Sequence, residues 1–348
     1  MCRVVRMDPE SYLALSAVDL VQHSEIPQAP SGRFNFFFAS KSLVSKYLHN
    51  KQRSGNCWVM FAGRLVVGPR WEGFLVSLGV YMTLVACVGS SSLGRYSVVL
   101  DCLFYLSSGV GLVMMLLTAL TNPGIMPRNE SLGHPAETDP KSIDSTTGFL
   151  VPRYLLINGV CVRQKYCRTC RIYRPPRSNH CSICDNCVLK HDHHCIALGT
   201  CVGLGNYRWF LVLCASMCVL FPVSFWLVKD RLWDEYYHDP STLPSAWDFV
   251  ANNSVVILCG ILCVVGIGAF ALLFVYHYFI TIHNLTTNEH LKKYYKVNPF
   301  DYGKWVNLKH ALCYPQDILP VAEHLDVHAS YRELASTNSE CISDFYDY

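Results

Sequence analysis

Residues 165–210 read KYCRTCRIYRPPRSNHCSICDNCVLKHDHHCIALGTCVGLGNYRWF. Of the 18 cysteines in the chain, eight fall between Cys161 and Cys201. Two pairs, Cys167-x-x-Cys170 and Cys181-x-x-Cys184, are followed by Cys187, Cys195 and Cys201, with His180, His191, His193 and His194 among them. Thiolates and imidazoles at this spacing are what tetrahedral zinc needs. Each pair supplies two thiolates to one ion, so two ions are expected. Cys187, Cys201 and two histidines can complete them, and the count does not fix which histidines bind. The flanking Arg168, Arg171, Arg174, Arg177, Asn179 and Asp185 exclude an apolar core of inert thiols. A site closed by four protein ligands has no open position for water or substrate, so the metal's work here is folding. Asp192-His193-His194-Cys195 is a different signal. An acid, an imidazole and a thiol in series can activate a sulfur nucleophile. Four residues alone would equally suit a run of metal ligands.

On either side of this segment the chain turns apolar. It has 348 residues, 51% of them hydrophobic and only 16% charged, against about a quarter charged in ordinary soluble domains. Four runs account for the deficit: 71–93, 97–121, 208–228 and 254–281. Each reaches the ~20 residues that a helix needs to cross the hydrocarbon core. The fold class expected is an α-helical polytopic membrane protein of four transmembrane helices, with the cysteine-rich double-zinc segment between helices 2 and 3. Asp101, near the start of the second run, is placed at the far interface. No secretory signal is read at the start, so the first span is expected to serve as targeting signal.

Lys and Arg placement sets the orientation. Residues 1–70 carry nine and residues 122–207 carry ten, and Lys292, Lys293, Lys296, Lys304 and Lys309 follow the last run. The loop at 229–253 has only Lys229 and Arg231 against Asp230, Asp234, Glu235, Asp239 and Asp248. Both termini and the cysteine-rich segment are therefore expected in the cytosol, with 229–253 lumenal. Thiols stay reduced in the cytosol, which disfavours a disulfide framework and leaves metal binding and catalysis.

The remaining organisation follows from composition. Residues 1–70 are a polar arm ending in an alternating stretch, Trp58 to Pro69, that reads as a strand pair or interfacial hairpin. Residues 122–164 comprise a Ser/Thr/Pro/Gly linker at 127–150 and a hairpin signalled by Asn158-Gly159. Residues 284–297 are amphipathic within a 282–314 segment, Asn298 to Gly303 reads as a turn, and 315–348 is an acidic tail expected to be partly disordered.

The whole arrangement resembles the DHHC family of zinc-containing protein S-acyltransferases (palmitoyltransferases). Beyond residues 165–210, Thr286-Thr287-Asn288-Glu289 resembles the family's TTxE motif. Asn298-Pro299-Phe300-Asp301 through Asn307 resembles its C-terminal NPY-type motif. The resemblance covers about residues 57–314. The wording CRIYRPPR and HCSICDNC, with AGRLVVGP before the first span, looks like the Ras-modifying subfamily, whose members often act with a small accessory subunit.

The resemblance implies an interleaved metal assignment. One zinc ion takes Cys167, Cys170, His180 and Cys187, and the other takes Cys181, Cys184, His194 and Cys201. Cys195 is left free as nucleophile, with His193 as base and Asp192 orienting it. Thr286, Thr287, Glu289, Asn298, Pro299 and Asn307 are the supporting motif residues. It implies a protein-cysteine S-palmitoyltransferase that moves a long-chain acyl group from acyl-CoA, the co-substrate, through a Cys195 acyl-enzyme. The acceptors are cysteines of membrane-associated proteins, Ras-like proteins among them. The setting is a multi-pass protein of the endomembrane system: endoplasmic reticulum, Golgi or plasma membrane. No nucleic-acid partner is expected. Arg163, Lys165, Arg168, Lys292 and Lys293 are available for CoA phosphates.

Two departures stand out. The family follows its reactive cysteine with Pro-Trp, where this chain has Ile196-Ala197. The family's Asp-Pro-Gly after the second span is Asn122-Pro123-Gly124 here. The competing readings are a catalytically weak zinc-containing membrane adaptor, favoured if Ile196-Ala197 collapses the site, and a membrane-bound ubiquitin ligase built on a cross-braced zinc module. Against the latter, the cluster joins the third span with almost no linker, and that class needs no free Asp-His-Cys.

Overall fold

The structure is a computed structural model, and it describes residues 53–92, 94, 97–126, 128, 153–158, 160–237 and 245–313. Most of the expected N-terminal arm, the 127–150 linker and the 315–348 tail lie outside the described residues. Among the described residues, four helices are long and apolar enough to cross a membrane. They are α1 (Trp71–Ser92), α2 (Val98–Leu120), α3 (Tyr207–Tyr237) and, after the short α4 (Ala246–Asn252), α5 (Ser254–Ile282). At 1.5 Å per residue, the 22 residues of α1 span about 33 Å, one hydrocarbon thickness. The 31 residues of α3 overreach it. The helix runs on through Lys229 to Tyr237, so part of the expected 229–253 loop is helical. An Arg231–Glu235 ion pair one turn apart supports that extension. Beyond it, Ser245 caps α4 by accepting a hydrogen bond from Asp248 N–H at 3.2 Å.

α3 is the centre of the bundle, packed against α2 on one side and α5 on the other. Its core side chains Phe210, Leu213, Cys214, Met217, Leu220 and Leu227 are buried with Tyr81, Val88, Phe104, Met115, Cys259 and Cys263 from the other helices. Residues such as Val76, Val80, Leu106, Leu262, Val265 and Leu272 remain exposed on the outer faces. A band of exposed aliphatic side chains around a packed core is what a bilayer solvates.

The remaining strands are short and gather at one end of the bundle. β1 (Arg53–Ser54), β2 (Cys57–Met60) and β3 (Leu65–Val67) form an antiparallel sheet just before α1. β4 (Arg153–Ile157) and β5 (Val160–Gln164) form a hairpin turning at Asn158, whose φ is 47°. A left-handed residue is what a tight hairpin turn requires, and Asn tolerates it. Three two-stranded knuckles follow: β6 (Tyr166–Cys167) with β7 (Ile172–Tyr173), β8 (Asn179–Cys181) with β9 (Asn186–Val188), and β10 (His193–Cys195) with β11 (Thr200–Val202). After α5 come α6 (Thr287–Lys292) and α7 (Lys304–Cys313). The amphipathic stretch at 284–297 is helical over only those six residues of α6, because Lys293 adopts a left-handed φ of 49° and stops it.

The β1–β2 turn sits on the β8–β9 knuckle. Asn56 N–H donates to Cys184 O at 3.0 Å, and Asn186 Nδ2 donates to Ser54 O at 2.8 Å. Gly55, with φ of 53°, allows this approach. A Cβ there would lie 2.5 Å from Asp185 O and 2.6 Å from Cys184 O. The β4–β5 hairpin docks in the same manner on the C-terminal segment. Asn158 Nδ2 donates to Pro299 O at 2.8 Å, and Ile157 and Val162 pack around the fully buried Phe300.

Candidate active site and metal clusters

Among the described residues, two groups of four side chains could each hold a metal ion: Cys167, Cys170, His180 and Cys187, and Cys181, Cys184, His194 and Cys201. In the first, His180 Nδ1 lies 3.5 Å from Cys167 Sγ, 3.5 Å from Cys170 Sγ and 3.8 Å from Cys187 Sγ. In the second, His194 Nδ1 lies 3.6, 3.3 and 3.6 Å from the sulfurs of Cys181, Cys184 and Cys201. A tetrahedral zinc ion with Zn–S of about 2.3 Å and Zn–N of about 2.0 Å has N···S edges of about 3.5 Å. Both clusters have those edges, and the donor set of three thiols and one imidazole is a zinc set. The knuckles also aim backbone N–H groups at sulfur: Cys170 N to Cys167 Sγ at 3.5 Å and Cys184 N to Cys181 Sγ at 3.4 Å. Asp185 Oδ1 stands 3.6 Å from His180 Nε2, behind the ring nitrogen that faces the cluster. A carboxylate there fixes ring orientation. His191 belongs to neither cluster; its backbone N–H donates to Arg177 O at 3.1 Å.

Strand alternation sorts the next residues. Successive side chains of β10 point to opposite faces. His194 faces the second cluster, so His193 and Cys195 share the other face. There His193 Nδ1 lies 2.7 Å from Asp192 Oδ2. The Cys195 thiol is within hydrogen-bonding reach of the same ring and packs against the apolar core of the bundle. Burial alone would lower the affinity of His193 for a proton. The hydrogen bonds to Asp192 and Cys195 and their charges outweigh it and raise its pKa to about 9. Burial alone would push the Asp192 carboxyl up. The hydrogen bond from His193, its charge and the Thr287 N–H hold it below the usual carboxylate range.

Asp192 is fixed from behind by α6. Thr287 donates from N–H at 2.8 Å and from Oγ1 at 2.7 Å, one bond to each carboxylate oxygen. Thr287 is in turn held by a capping box, in which Thr286 Oγ1 accepts from Glu289 N–H at 3.2 Å and Glu289 Oε2 accepts from Thr286 N–H at 2.9 Å. Glu289 is locked into the zinc-cluster segment by Arg177, which donates to its two oxygens at 2.9 and 2.8 Å. Arg177 also reaches Asn284 Oδ1 at 2.9 Å and Asn284 O at 2.7 Å, and lies over the Phe300 ring. The downstream motif closes the loop. Asn298 Nδ2 donates to His283 O at 2.6 Å, and Asn307 Nδ2 donates to Ile282 O at 2.8 Å and Asp301 Oδ1 at 2.7 Å. The structure thus brings Cys195, His193 and Asp192 together, with Thr286, Thr287 and Glu289 behind them. Asn298, Pro299 and Asn307 stand one layer further out, bracing the end of α5.

Three residues that the sequence did not single out stand around His193. Phe210 meets the His193 ring edge-on at 5.3 Å between centroids. His277 of α5 lies 5.8 Å from His193 and 4.8 Å from Phe210, and its nitrogen falls within 4.8 Å of the ligand atoms of Asp192 and His193. Tyr207 OH bridges His277 Nδ1 at 3.2 Å and Thr281 Oγ1 at 3.0 Å. His277 had a signal: a buried imidazole in a membrane-spanning run is costly and marks a functional neighbourhood.

Four membrane-length helices, with two thiol–imidazole clusters and an Asp-His-Cys string between the second and third, define a class. The family model described as DHHC palmitoyltransferase matches residues 161–294 of this chain. The chain is similar to "Probable protein S-acyltransferase 5" of Arabidopsis thaliana, 32% identical over 74% of this chain and 57% of that protein. It is similar to "Protein S-acyltransferase 8" of the same plant, 37% identical over 52% of this chain and 45% of that protein. "Palmitoyltransferase ZDHHC14" of Danio rerio is 33% identical over 58% of this chain and 45% of that protein. The chain spans about half the length of these curated relatives.

Proposed function

We propose that this chain is a protein S-acyltransferase working through a Cys195 acyl-enzyme. The observation that carries the reading is the shared face of β10. Cys195 and His193 point away from the metal cluster toward the helix bundle, and Asp192 holds His193 at 2.7 Å. Cys195 Sγ gives its proton to His193 and attacks the thioester carbonyl of a long-chain acyl-CoA. The carbon–sulfur bond to CoA breaks, and the CoA thiolate leaves with the proton from His193. In the second half, His193 takes the proton of an acceptor cysteine thiol, which attacks the acyl-enzyme and restores Cys195. Asp192 stays ionised throughout and stabilises the imidazolium. The two closed clusters hold structural zinc and take no part in these steps.

Lys165 and Lys292 converge on the Tyr294 ring, at 4.9 and 5.7 Å. With the exposed Arg163, Arg168 and Lys293 they offer the cations that CoA phosphates need. An acyl chain extending among the four helices recovers ~0.8 kcal/mol per buried methylene. Acceptors are cysteines of proteins held at the membrane surface. The sequence wording at AGRLVVGP and CRIYRPPR favours Ras-like acceptors and a small accessory subunit. The Lys/Arg distribution favours a cytosolic site on an endomembrane compartment.

The test is incubation of the purified full chain with labelled palmitoyl-CoA. Wild type is expected to take up hydroxylamine-sensitive label. Cys195→Ser is expected to take up none while keeping the metal of both clusters. Loss of one zinc equivalent from Cys195→Ser would show that Cys195 is a ligand, and the reading would fall.

A further inference from the structure

β10 ends at Cys195, and the chain reverses through Ile196, Ala197, Leu198 and Gly199 before β11, with Cys195 paired to Thr200. Gly199 N–H donates to Ile196 O at 3.1 Å, and Gly199 closes the turn with a φ of 68°. This is where the chain carries Ile196-Ala197 in place of the Pro-Trp of the family. Leu198 anchors one corner of the turn in the core, but Ile196 is 70% exposed and Ala197 is exposed. Side-chain burial therefore gives no hold on the residue that directly follows the nucleophile.

The hold comes from the backbone. The turn lies against residues 68–73, which join β3 to α1, and three glycines make the approach. A Cβ on Gly68 would overlap Gly199 O and lie 2.9 Å from Thr200 Cα. One on Gly73 would overlap Ile196 O, and one on Gly199 would overlap Arg70 O and lie 3.1 Å from Trp71 Cα. In each case the obstacle is main chain, which cannot rotate aside as a side chain can. The surface they press on is stiff. Gly73 N–H donates to Arg70 O at 3.0 Å, and Trp71 opens the 22-residue α1. At Gly79 and Gly109, elsewhere in α1 and α2, a Cβ would meet nothing within 4 Å.

We propose that Gly68, Gly73 and Gly199 form a backbone clamp that positions Cys195 for acyl transfer, doing from outside the turn what a Pro directly after Cys195 would do from within it. Pro restricts the backbone through its own ring. This chain restricts it from outside, by seating the turn on the start of the first membrane helix. A small displacement of a nucleophile costs a large factor in rate, because the attacking and reacting atoms must meet at about 3–3.5 Å. The three glycines are positioning residues, and the inference rests on the acyl-transfer reading above.

The test compares Gly68→Ala and Gly73→Ala with Gly79→Ala and Gly109→Ala in the full-length, metal-loaded protein. Three quantities are read: acyl-enzyme formation with labelled palmitoyl-CoA, zinc per chain, and amide hydrogen exchange by mass spectrometry. For Gly68→Ala and Gly73→Ala, the rate at saturating palmitoyl-CoA is expected to fall at least tenfold, with the half-saturating concentration changed less than twofold and zinc unchanged. Exchange is expected to speed up at least tenfold in peptides covering 195–201 and to stay as in wild type at 181–188. Gly79→Ala and Gly109→Ala should leave every readout unchanged. Wild-type rate and exchange in both clamp variants would overturn the proposal. So would loss of a zinc equivalent in both, which would make the contact one of folding. If wild type takes no label, the acyl-transfer reading fails by itself, and the exchange pattern alone decides whether the turn is clamped.

Discussion

Replacing Arg177 by Ala should loosen Asp192 without touching it. The Arg177 and Glu289 side chains are each 2% exposed, and the guanidinium makes four hydrogen bonds, two to Glu289 and two to Asn284. Its removal strands a carboxylate in a site that water does not reach. Breaking one partner of a buried pair costs about 3–5 kcal/mol. At ~1.4 kcal/mol per tenfold, that is a hundredfold or more in the equilibrium for opening the segment. The segment concerned begins at Asn284 and contains the capping box, so Thr287 should withdraw both of its hydrogen bonds from Asp192. Amide exchange over 284–290 reads the opening, and acyl-enzyme formation reads the consequence at His193. Both should change in Arg177→Ala, with zinc retained because Arg177 is in neither cluster. Arg177→Lys should recover only part of the loss, since an ammonium cannot make the paired contact with Glu289. A double-mutant cycle with Glu289→Gln should give a coupling of at least ~1 kcal/mol. Unchanged exchange at 284–290 in Arg177→Ala would refute the argument, because the pair would then not hold α6 in place.

Three further outcomes follow from the site. His193→Ala should slow acyl-enzyme formation by roughly 10²–10⁴-fold with both metals kept, whereas His194→Ala should lose zinc and yield; equal zinc content and stability in the two would overturn the alternation argument. Ile196→Pro with Ala197→Trp should not reduce acylation, because both positions are exposed, and a clear drop with zinc unchanged would show that the turn has adapted to its present residues. The pKa of His193 lies at about 9, above its ordinary 6.5, so the stability its imidazolium contributes is complete below pH 6.5 and is lost as pH rises through about 9; the thermal midpoint of wild type should fall more over that range than that of His193→Ala, and parallel curves would exclude the ion pair.

Much of this was legible because it is local. Four long apolar runs can only be membrane-length helices, and paired thiols with interspersed histidines read as zinc sites before any fold is known. What distinguishes His193 from His194 is not local spacing but the pleat of β10, and adjacent histidines look alike until that strand is known. Arg177 reads as one of several arginines around the cysteines. Its partner lies 112 residues away, beyond two membrane spans, and no pattern near it announces the pairing. Tyr207 and His277 meet by the same kind of long-range contact. The change to Asn122 is now accounted for. Its Oδ1 accepts from Gly124 and Ile125 N–H at 2.9 Å each, as a carboxylate would, while Nδ2 donates to Gly63 O at 3.3 Å, as a carboxylate could not. The acceptor role survives the substitution, and the amide adds a tie to the strand sheet before α1.

The seat of the β1–β2 turn on the β8–β9 knuckle also constrains biosynthesis. Its two halves are separated in the chain by α1 and α2, and the turn is synthesised long before its partner. Gly55 and Asn56 can meet Cys184 only if the intervening chain crosses the bilayer and comes back. The Arg177–Glu289 pair makes the same demand on α3 and α5. An insertion error that left one span in the interface would put the partners on opposite sides, with no route to each other. A chain inserted wrongly would therefore expose an unseated hairpin and a buried-type arginine to solvent. The contacts would then certify the threading of the polypeptide as well as hold the finished site.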